Sequence, residues 1–252
     1  MEIPLSATPA NGGRHLFLPS AIIPNDHSRQ SSAYTLAERW LEDQAVNAAS
    51  PAILDLGCGE GDSVDFFRRR CPAVTWIGVD IAHSPEVDAR RRADADFRTF
   101  DGVHIPAPDR SVDLVFCNQV LTHADRPTDL LIDARRVLKT TGQLIGSTSY
   151  LEPMMSYSRT NFTPYGFASS LETAGLELRE IRPGIDALTL ILRRLLWMPR
   201  VFDRFYERES PLNWLIGMAG RCRGRSHQEM NARKILFAGQ FSFRATPADC
   251  VV

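Results

Sequence analysis

The 252-residue chain lacks a surplus of either charge: 29 Lys and Arg stand against 30 Asp and Glu, a formal net charge of −1. That balance excludes a dedicated electrostatic nucleic-acid binder, which needs a basic excess to release counterions from phosphates. Long apolar runs are missing too. The greasiest stretch, 188–198, is broken by Arg193 and Arg194 and followed by Pro199, short of the roughly 20 apolar residues that a spanning helix needs. The first ten residues have neither a basic start nor an apolar core, so no secretory signal is expected and a cytoplasmic location is. Cysteine is scarce, with five at 58, 71, 117, 222 and 250 and no Cys-x-x-Cys pair, which excludes a disulfide framework. The six histidines show no ligand spacing with one another or with a cysteine, and no metal site is expected. What is present is an ordinary globular composition, 44% hydrophobic and 23% charged, sufficient for one large α/β domain.

Residues 1–30 are rich in Pro, Gly, Asn and Ser without sustained periodicity and read as a flexible N-terminal arm. Residues 31–252 read as a single domain. Ser31 or Ser32 caps a helix that runs to 49, with Leu36, Trp40 and Leu41 on one stripe, and Ser50-Pro51 ends it. Strand-like runs at 52–56, 75–80, 96–100, 112–118, 143–149, 176–182 and 235–244 alternate with helical patterns at 63–70, 85–93, 127–138 and 164–174, and Lys139 to Gly142 reads as a turn. That alternation predicts a mostly parallel sheet covered on both faces. Between the last two strands, at about 186–233, three short helical patterns (188–198, 201–209 and 211–219) form an insertion. From 190 to 244 eleven basic residues face four acidic ones, so a neutral protein carries one polarised basic segment.

The segment Ile53-Leu54-Asp55-Leu56-Gly57-Cys58-Gly59-Glu60-Gly61 reads as a buried strand entering a glycine-rich turn and then a helix, which lets backbone approach a ligand closely. Such a turn alone serves a dinucleotide, a phosphate or no ligand. Its neighbours discriminate. Asp55, Glu60 and Asp62 crowd the helix start, where a pyrophosphate would need positive potential. A ligand bearing an ammonium and a sulfonium gains from the same acids, the charge pattern of S-adenosylmethionine (SAM). Asp80, about 20 residues past the glycines at the end of the second strand, suits the two hydroxyls of a ribose, as it would in a nicotinamide dinucleotide site. Asp101-Gly102, after the third strand, adds an acid suited to an exocyclic adenine amine.

Taken with Val79-Asp80, Asp113-Leu114-Val115 to His123 and Arg136-Val137-Leu138-Lys139, the loop Asp55-Leu56-Gly57-Cys58-Gly59 resembles the class I SAM-dependent methyltransferases over roughly residues 50–185. The resemblance implies a Rossmann-like sheet of seven strands with the last antiparallel. It also implies a SAM site in which Asp55, Gly57, Cys58, Gly59 and Gly61 hold the methionine end, Asp80 with Ile81 the ribose, Asp101 with Gly102 the adenine, and Asn118 the turn beside them.

After the fourth strand comes Asn118-Gln119-Val120-Leu121-Thr122-His123. It lacks the Asn/Asp-Pro-Pro-aromatic run of enzymes that methylate base amines. Gln119 and Thr122 stand where metal-dependent relatives carry glutamates, so no essential divalent ion is expected. His123, with an ordinary pKa near 6.5, is the candidate general base for a hydroxyl acceptor; its alternative role is packing beside the cofactor. His104 reads as a loop residue. Tyr150, Glu152, Tyr157, Arg159 and Tyr165 lie where similar enzymes line the acceptor pocket. The basic insertion reads as a lid, a surface for anionic or acylated substrates, or an oligomer contact, and the oligomeric state carries no signal. The stretches 163–176 and 183–186 resemble proteins that decorate bacterial glycans, so the expected reaction is O-methylation of a small-molecule or glycan acceptor, for example a sugar of a rhizobial-type lipochitooligosaccharide signal. Methylation of a lipid, quinone or other metabolite is the second reading, and a non-catalytic SAM-binding subunit the third.

Overall fold

The computed structural model describes residues 19–46, 50–153 and 155–248. Seven strands, β1 (Ala52–Leu56), β2 (Thr75–Asp80), β3 (Asp96–Thr99), β4 (Val112–Asn118), β5 (Leu138–Ser149), β6 (Leu176–Pro183) and β7 (Gln240–Pro247), form one sheet in the order β3-β2-β1-β4-β5-β7-β6. All neighbours pair in parallel except β7, which runs antiparallel to β5 and β6. Helices α1 (Ala33–Val46), α2 (Ser63–Arg70), α3 (Pro85–Ala89), α4 (Pro127–Val137) and α5 (Pro164–Thr173) belong to this core, and α6 (Ala187–Leu195), α7 (Pro211–Cys222) and α8 (His227–Ile235) fill the connection from β6 to β7. The chain turns outward in opposite directions from β1 and β4, which opens a crevice at their carboxyl ends.

Period-two side-chain alternation divides the strands between two cores. Ile53, Leu114, Phe116 and Ile145 face Trp40 of α1 and Phe67 of α2. Leu54, Leu56, Val115, Cys117 and Leu144 face the other way, toward Leu130 of α4 and Phe167 of α5. Both faces are covered, so the central strands are apolar on both sides. Cap chemistry fixes the helix ends: Thr163 Oγ1 accepts from Gly166 N with Pro164 at the first position of α5, and Asp186 accepts from Thr189 N at the start of α6.

Several boundaries differ from the sequence expectations. The expected strand at 235–244 begins only at Gln240, because 227–235 forms α8 behind a capping box in which Ser226 and Glu229 exchange hydrogen bonds. Lys139 to Gly142 is not a turn: β5 starts at Leu138 and carries a register shift opposite Val112 and Leu114, with Lys139 Nζ donating to Asp113 at 2.8 Å. The helix expected over 85–93 stops at Ala89, and Arg90 instead donates to the Gly59 carbonyl at 2.7 Å. The pattern at 201–209 is a 3-10 helix, Arg200–Tyr206. α1 is described to Val46, and 47–49 lie outside the described residues.

The expected N-terminal arm divides. Residues 1–18 lie outside the described residues, whereas 19–30 are stitched to the fold and do not form a loose arm. Asn231 Nδ2 donates to the Pro24 and His27 carbonyls, Gln228 Nε2 to those of Ser20 and Ile23, and the fully buried Lys234 ammonium to the Ser28 carbonyl and to Glu209 Oε1 at 2.6 Å. The Gln30 amide oxygen accepts from Ser210 N, Ser210 Oγ and Asn213 Nδ2. At the other end Arg182, also buried, donates to Glu180 and Asp26. Residues 19–30, a strap across α8, and the insertion are therefore one hydrogen-bonded layer. Replacing Lys234 with Met leaves Glu209 and the Ser28 carbonyl unsatisfied and should cost about 3 kcal/mol in urea unfolding; in the K234M/E209M double variant the combined loss should be smaller than the sum of the single losses.

Candidate functional site

The glycine loop follows β1 at the crevice between β1 and β4. Gly57, Gly59 and Gly61 all have positive φ, at 72°, 49° and 86°. At Gly57 the requirement is also steric, since a Cβ there would stand 2.3 Å from Val120 Cγ2. The Gly57 and Cys58 amides both donate to the Val79 carbonyl, so the loop is laid across the end of β2. Asp80 then closes it: Oδ2 accepts from Gly59 N at 2.7 Å and Oδ1 from Ile81 N at 2.8 Å. Each carboxylate oxygen keeps a second lone pair.

Asp55 is buried beneath the loop, 4% exposed, and accepts from Ser63 Oγ, which in turn accepts from Trp76 Nε1 at 2.9 Å. Burial pushes its carboxyl up to about 7, with Asp80 and Asp62 adding to the rise and the Ser63 hydrogen bond opposing it. The Cys58 thiol is likewise pushed up by burial, to about 12, and is no nucleophile at neutral pH. Asp101 is exposed and held well below the usual carboxylate range by the His104 ring and the His104 and Val103 amides; His104, expected as a plain loop residue, is its partner. Gly102 follows with φ 90°.

Beside the loop, at the carboxyl ends of β4 and β5, lies a cavity of about 540 Å³. Asn118, Gln119 and Ser147 form its floor, and Tyr34, Phe66 and Phe241 supply aromatic walls. The floor is hydrogen-bonded through: Ser147 Oγ donates to Asn118 Oδ1, Gln119 Nε2 donates to Ser147 Oγ, and Ser149 Oγ donates to Gln119 Oε1. Gln119 holds φ 61°, a left-handed geometry that costs a residue with a side chain. Ser31 Oγ, also in the wall, is buried without a hydrogen-bond partner among the described residues. Tyr34 joins cavity to loop, since burial and the nearby Asp55 and Asp62 carboxylates raise its hydroxyl above the usual range.

The structure thus brings Asp55, Gly57, Cys58, Gly59, Gly61, Asp80 and Ile81 together, sets Asn118 in the neighbouring cavity, and places Asp101 and Gly102 at the next strand end. His123 is exposed on the turn after β4 and outside the cavity wall; its amide donates to the Val120 carbonyl. Of the side chains expected to line an acceptor pocket, Glu152 is buried and accepts from Ser149 Oγ and Gln240 Nε2, whereas Tyr157 and Tyr165 are exposed. Sequence reasoning missed the place in the cavity of Ser31, Ser32 and Tyr34, which directly follow the expected arm, of Tyr206 and Glu207, which lie within the insertion, and of Gln240, which follows it. Helical spacing carried no sign that those elements fold back over the crevice.

Residues 54–146 match the family model described as a methyltransferase domain. A ubiquinone biosynthesis O-methyltransferase of Pseudomonas entomophila is 25% identical over 154 residues, 51% of this chain and 65% of that protein. A malonyl-[acyl-carrier protein] O-methyltransferase of a Paenibacillus species is 25% identical over 151 residues, 55% of this chain and 54% of that protein. The chain spans less than two thirds of the length of these curated relatives. Among solved structures, a sarcosine dimethylglycine methyltransferase assigned in Galdieria sulphuraria superposes with a TM-score of 0.57 at 16% identity, covering 88% of this chain and 93% of that one. The match over 54–146 is to a methyltransferase domain, the fold is that of the superposed methyltransferase structure, and SAM is the cofactor these likenesses support.

The residues fit that group. Asp80 has lone pairs free for vicinal hydroxyls, and Asp55, Asp62 and Asp80 supply the negative potential that a sulfonium and an ammonium require. Because Asp55 titrates near 7 in the folded chain and near 3.8 when unfolded, its contribution to stability is present below about pH 4 and is lost as pH rises to about 7. The stability of Asp55→Asn relative to wild type should therefore improve by a few kcal/mol across that window in urea unfolding, and a pH-independent difference would contradict the burial argument.

Proposed function

We propose that the protein is an enzyme that transfers the methyl group of SAM to a hydroxyl oxygen of a small polar acceptor held in the cavity between β4, β5 and the strap. The observation that carries this reading is a cavity whose floor is a chain of neutral hydrogen-bonding groups, Asn118, Ser147 and Gln119, and whose wall residue Tyr34 lies within reach of the charges of Asp55 and Asp62 at the glycine loop. When bound, SAM would supply an electrophilic methyl that bonds to the acceptor oxygen as its bond to sulfur breaks and S-adenosylhomocysteine leaves. The chain's part is to position and to exclude water. Asp80 holds the ribose, Asp55 favours the cationic end, and Asn118 and Gln119 orient the acceptor. His123, on the turn that carries Gln119, takes the acceptor proton in this proposal.

A hydroxyl-rich acceptor, a sugar or glycan, suits the polar floor, with Tyr34 and Phe66 as stacking faces. The second reading, a quinone or other lipid-like metabolite, is favoured by the apolar insertion and by the substrates named for the relatives. A non-catalytic SAM-binding subunit is the third. The setting proposed for all three is cytoplasmic.

Calorimetric titration should show micromolar binding of SAM and S-adenosylhomocysteine and none of NADH. Asp80→Ala should weaken SAM binding about tenfold to a hundredfold by removing charge-assisted hydrogen bonds. With an active acceptor, His123→Ala should lower kcat and leave SAM affinity unchanged; an unaltered kcat removes His123 from the chemistry. Turnover of quinones or lipids but of no sugar would replace the first reading with the second. SAM binding without turnover of any acceptor would favour the third.

A further inference from the structure

The insertion turns apolar side chains outward. On α6 the residues at one helical face, Leu188, Ile191, Leu192 and Leu195, are all exposed, Leu195 by 69%, while Thr189 and Leu190 face the core. That is the spacing of an amphipathic helix with its apolar stripe on the wrong side for packing. The stripe continues through Leu196, Trp197, Met198 and Val201, with Trp197 93% exposed. Trp197 and Met198 hold φ 61° and 62°, a left-handed pair pinned by their amides on the Arg194 and Arg193 carbonyls. Phe237 extends it on the other side, since its carbonyl accepts from Ala187 N. On α7, which packs against α6, Trp214, Leu215 and Met218 are exposed as well. An apolar face of this extent is not left to water without a reason.

Charge selects what covers it. Three of the four acids of the segment are paired with basic residues of the same segment, Asp203 with Arg193, Glu209 with Lys234 and Glu229 with Arg225, which leaves Glu207. Arg194, Arg200, Arg208 and Arg221 have no ion-pair partner among the described residues, and Arg204 lies only over the Phe205 ring. The covering surface must therefore be apolar within and anionic at its boundary. A second copy of this face would set arginines against arginines. No helix among the described residues is long and apolar enough to cross a membrane, so the matching geometry is one that lies in the interface plane.

We propose that α6, the 3-10 helix Arg200–Tyr206 and α7 dock this protein on a bilayer surface rich in anionic headgroups, with the leucines and Trp197 in the acyl boundary and the arginines among the headgroups. Tyr206 and Glu207, which follow directly, line the cavity, so docking sets the acceptor site against the bilayer. This goes beyond the methyl-transfer reading and stands without it.

The test is co-sedimentation of the full chain with vesicles of phosphatidylcholine alone and of an equal mixture of phosphatidylcholine and phosphatidylglycerol. Binding to the mixed vesicles is expected, with weak binding to the neutral ones and loss in high salt. Leu195→Glu and Trp197→Glu, both at exposed positions, should each weaken it by at least about tenfold. Arg200→Gln should weaken it roughly fivefold. SAM calorimetry on the same samples reports folding and the cofactor site. Protein that binds SAM but no vesicle overturns the docking proposal and leaves the methyltransferase reading standing, whereas vesicle binding without SAM binding does the reverse. Equal binding by wild type and Leu195→Glu also overturns it, as does a stable dimer that Leu195→Glu dissociates in protein that ignores vesicles.

Discussion

The roof of the candidate site depends on a buried ammonium. Lys234 has no access to water and answers to one carboxylate, Glu209, and one carbonyl, that of Ser28. Desolvation lowers its pKa while Glu209 raises it, and the balance stays on the lowered side. An interior charge of this kind is tolerated only when its partners are fixed. Fixing them joins three segments far apart in sequence: the strap at Ser28, the end of the 3-10 region at Glu209 and α8 itself. Gln30, bonded to Ser210 and Asn213, repeats the link a turn away. Because Ser31, Ser32 and Tyr34 follow directly on that strap, the wall of the cavity inherits its position from these bonds.

The floor obeys a different constraint. At the glycine loop the backbone runs close beneath Val120 and across the end of β2, and the groups that hold it are acids. Burial lifts the Asp55 carboxyl to about 7, and the neighbouring Asp80 and Asp62 carboxylates add to the rise. The site is thus strained electrostatically until a cation arrives. That strain decides the sign of the ligand more sharply than the glycines do, since the same turn geometry serves phosphates elsewhere.

The sheet was legible because its signal is local. Apolar runs bounded by Gly, Pro and Asp at 52–56, 75–80 and 112–118 match β1, β2 and β4 to the residue, and the acids at their ends define the crevice. The strap was not legible: Pro24 and Asn25 look like loop, and the Pro24 carbonyl and Asn25 Oδ1 find donors on α8, some 200 residues later. α8 was missed for a different reason. Its periodicity is weak because it buries Asn231 and Lys234 as well as Met230 and Ile235, although the Ser226 to Glu229 capping box was in plain view. The cavity combines these cases, with its floor on readable strands and its wall on unreadable contacts.

The insertion connects the two halves of the problem. A connection from β6 to β7 needs only a few residues, since the strands are antiparallel neighbours. This chain uses 184–239 instead. Part of that length serves the roof, through Ser210, Asn213 and Lys234. The remainder, α6 and the left-handed pair Trp197-Met198, makes no comparable contribution to the core, and its largest side chains face out. A conformation that costs backbone strain while exposing indole and leucine is accounted for if the exposed face is used. The same segment ends at Tyr206 and Glu207 in the cavity wall, so whatever covers that face also borders the acceptor.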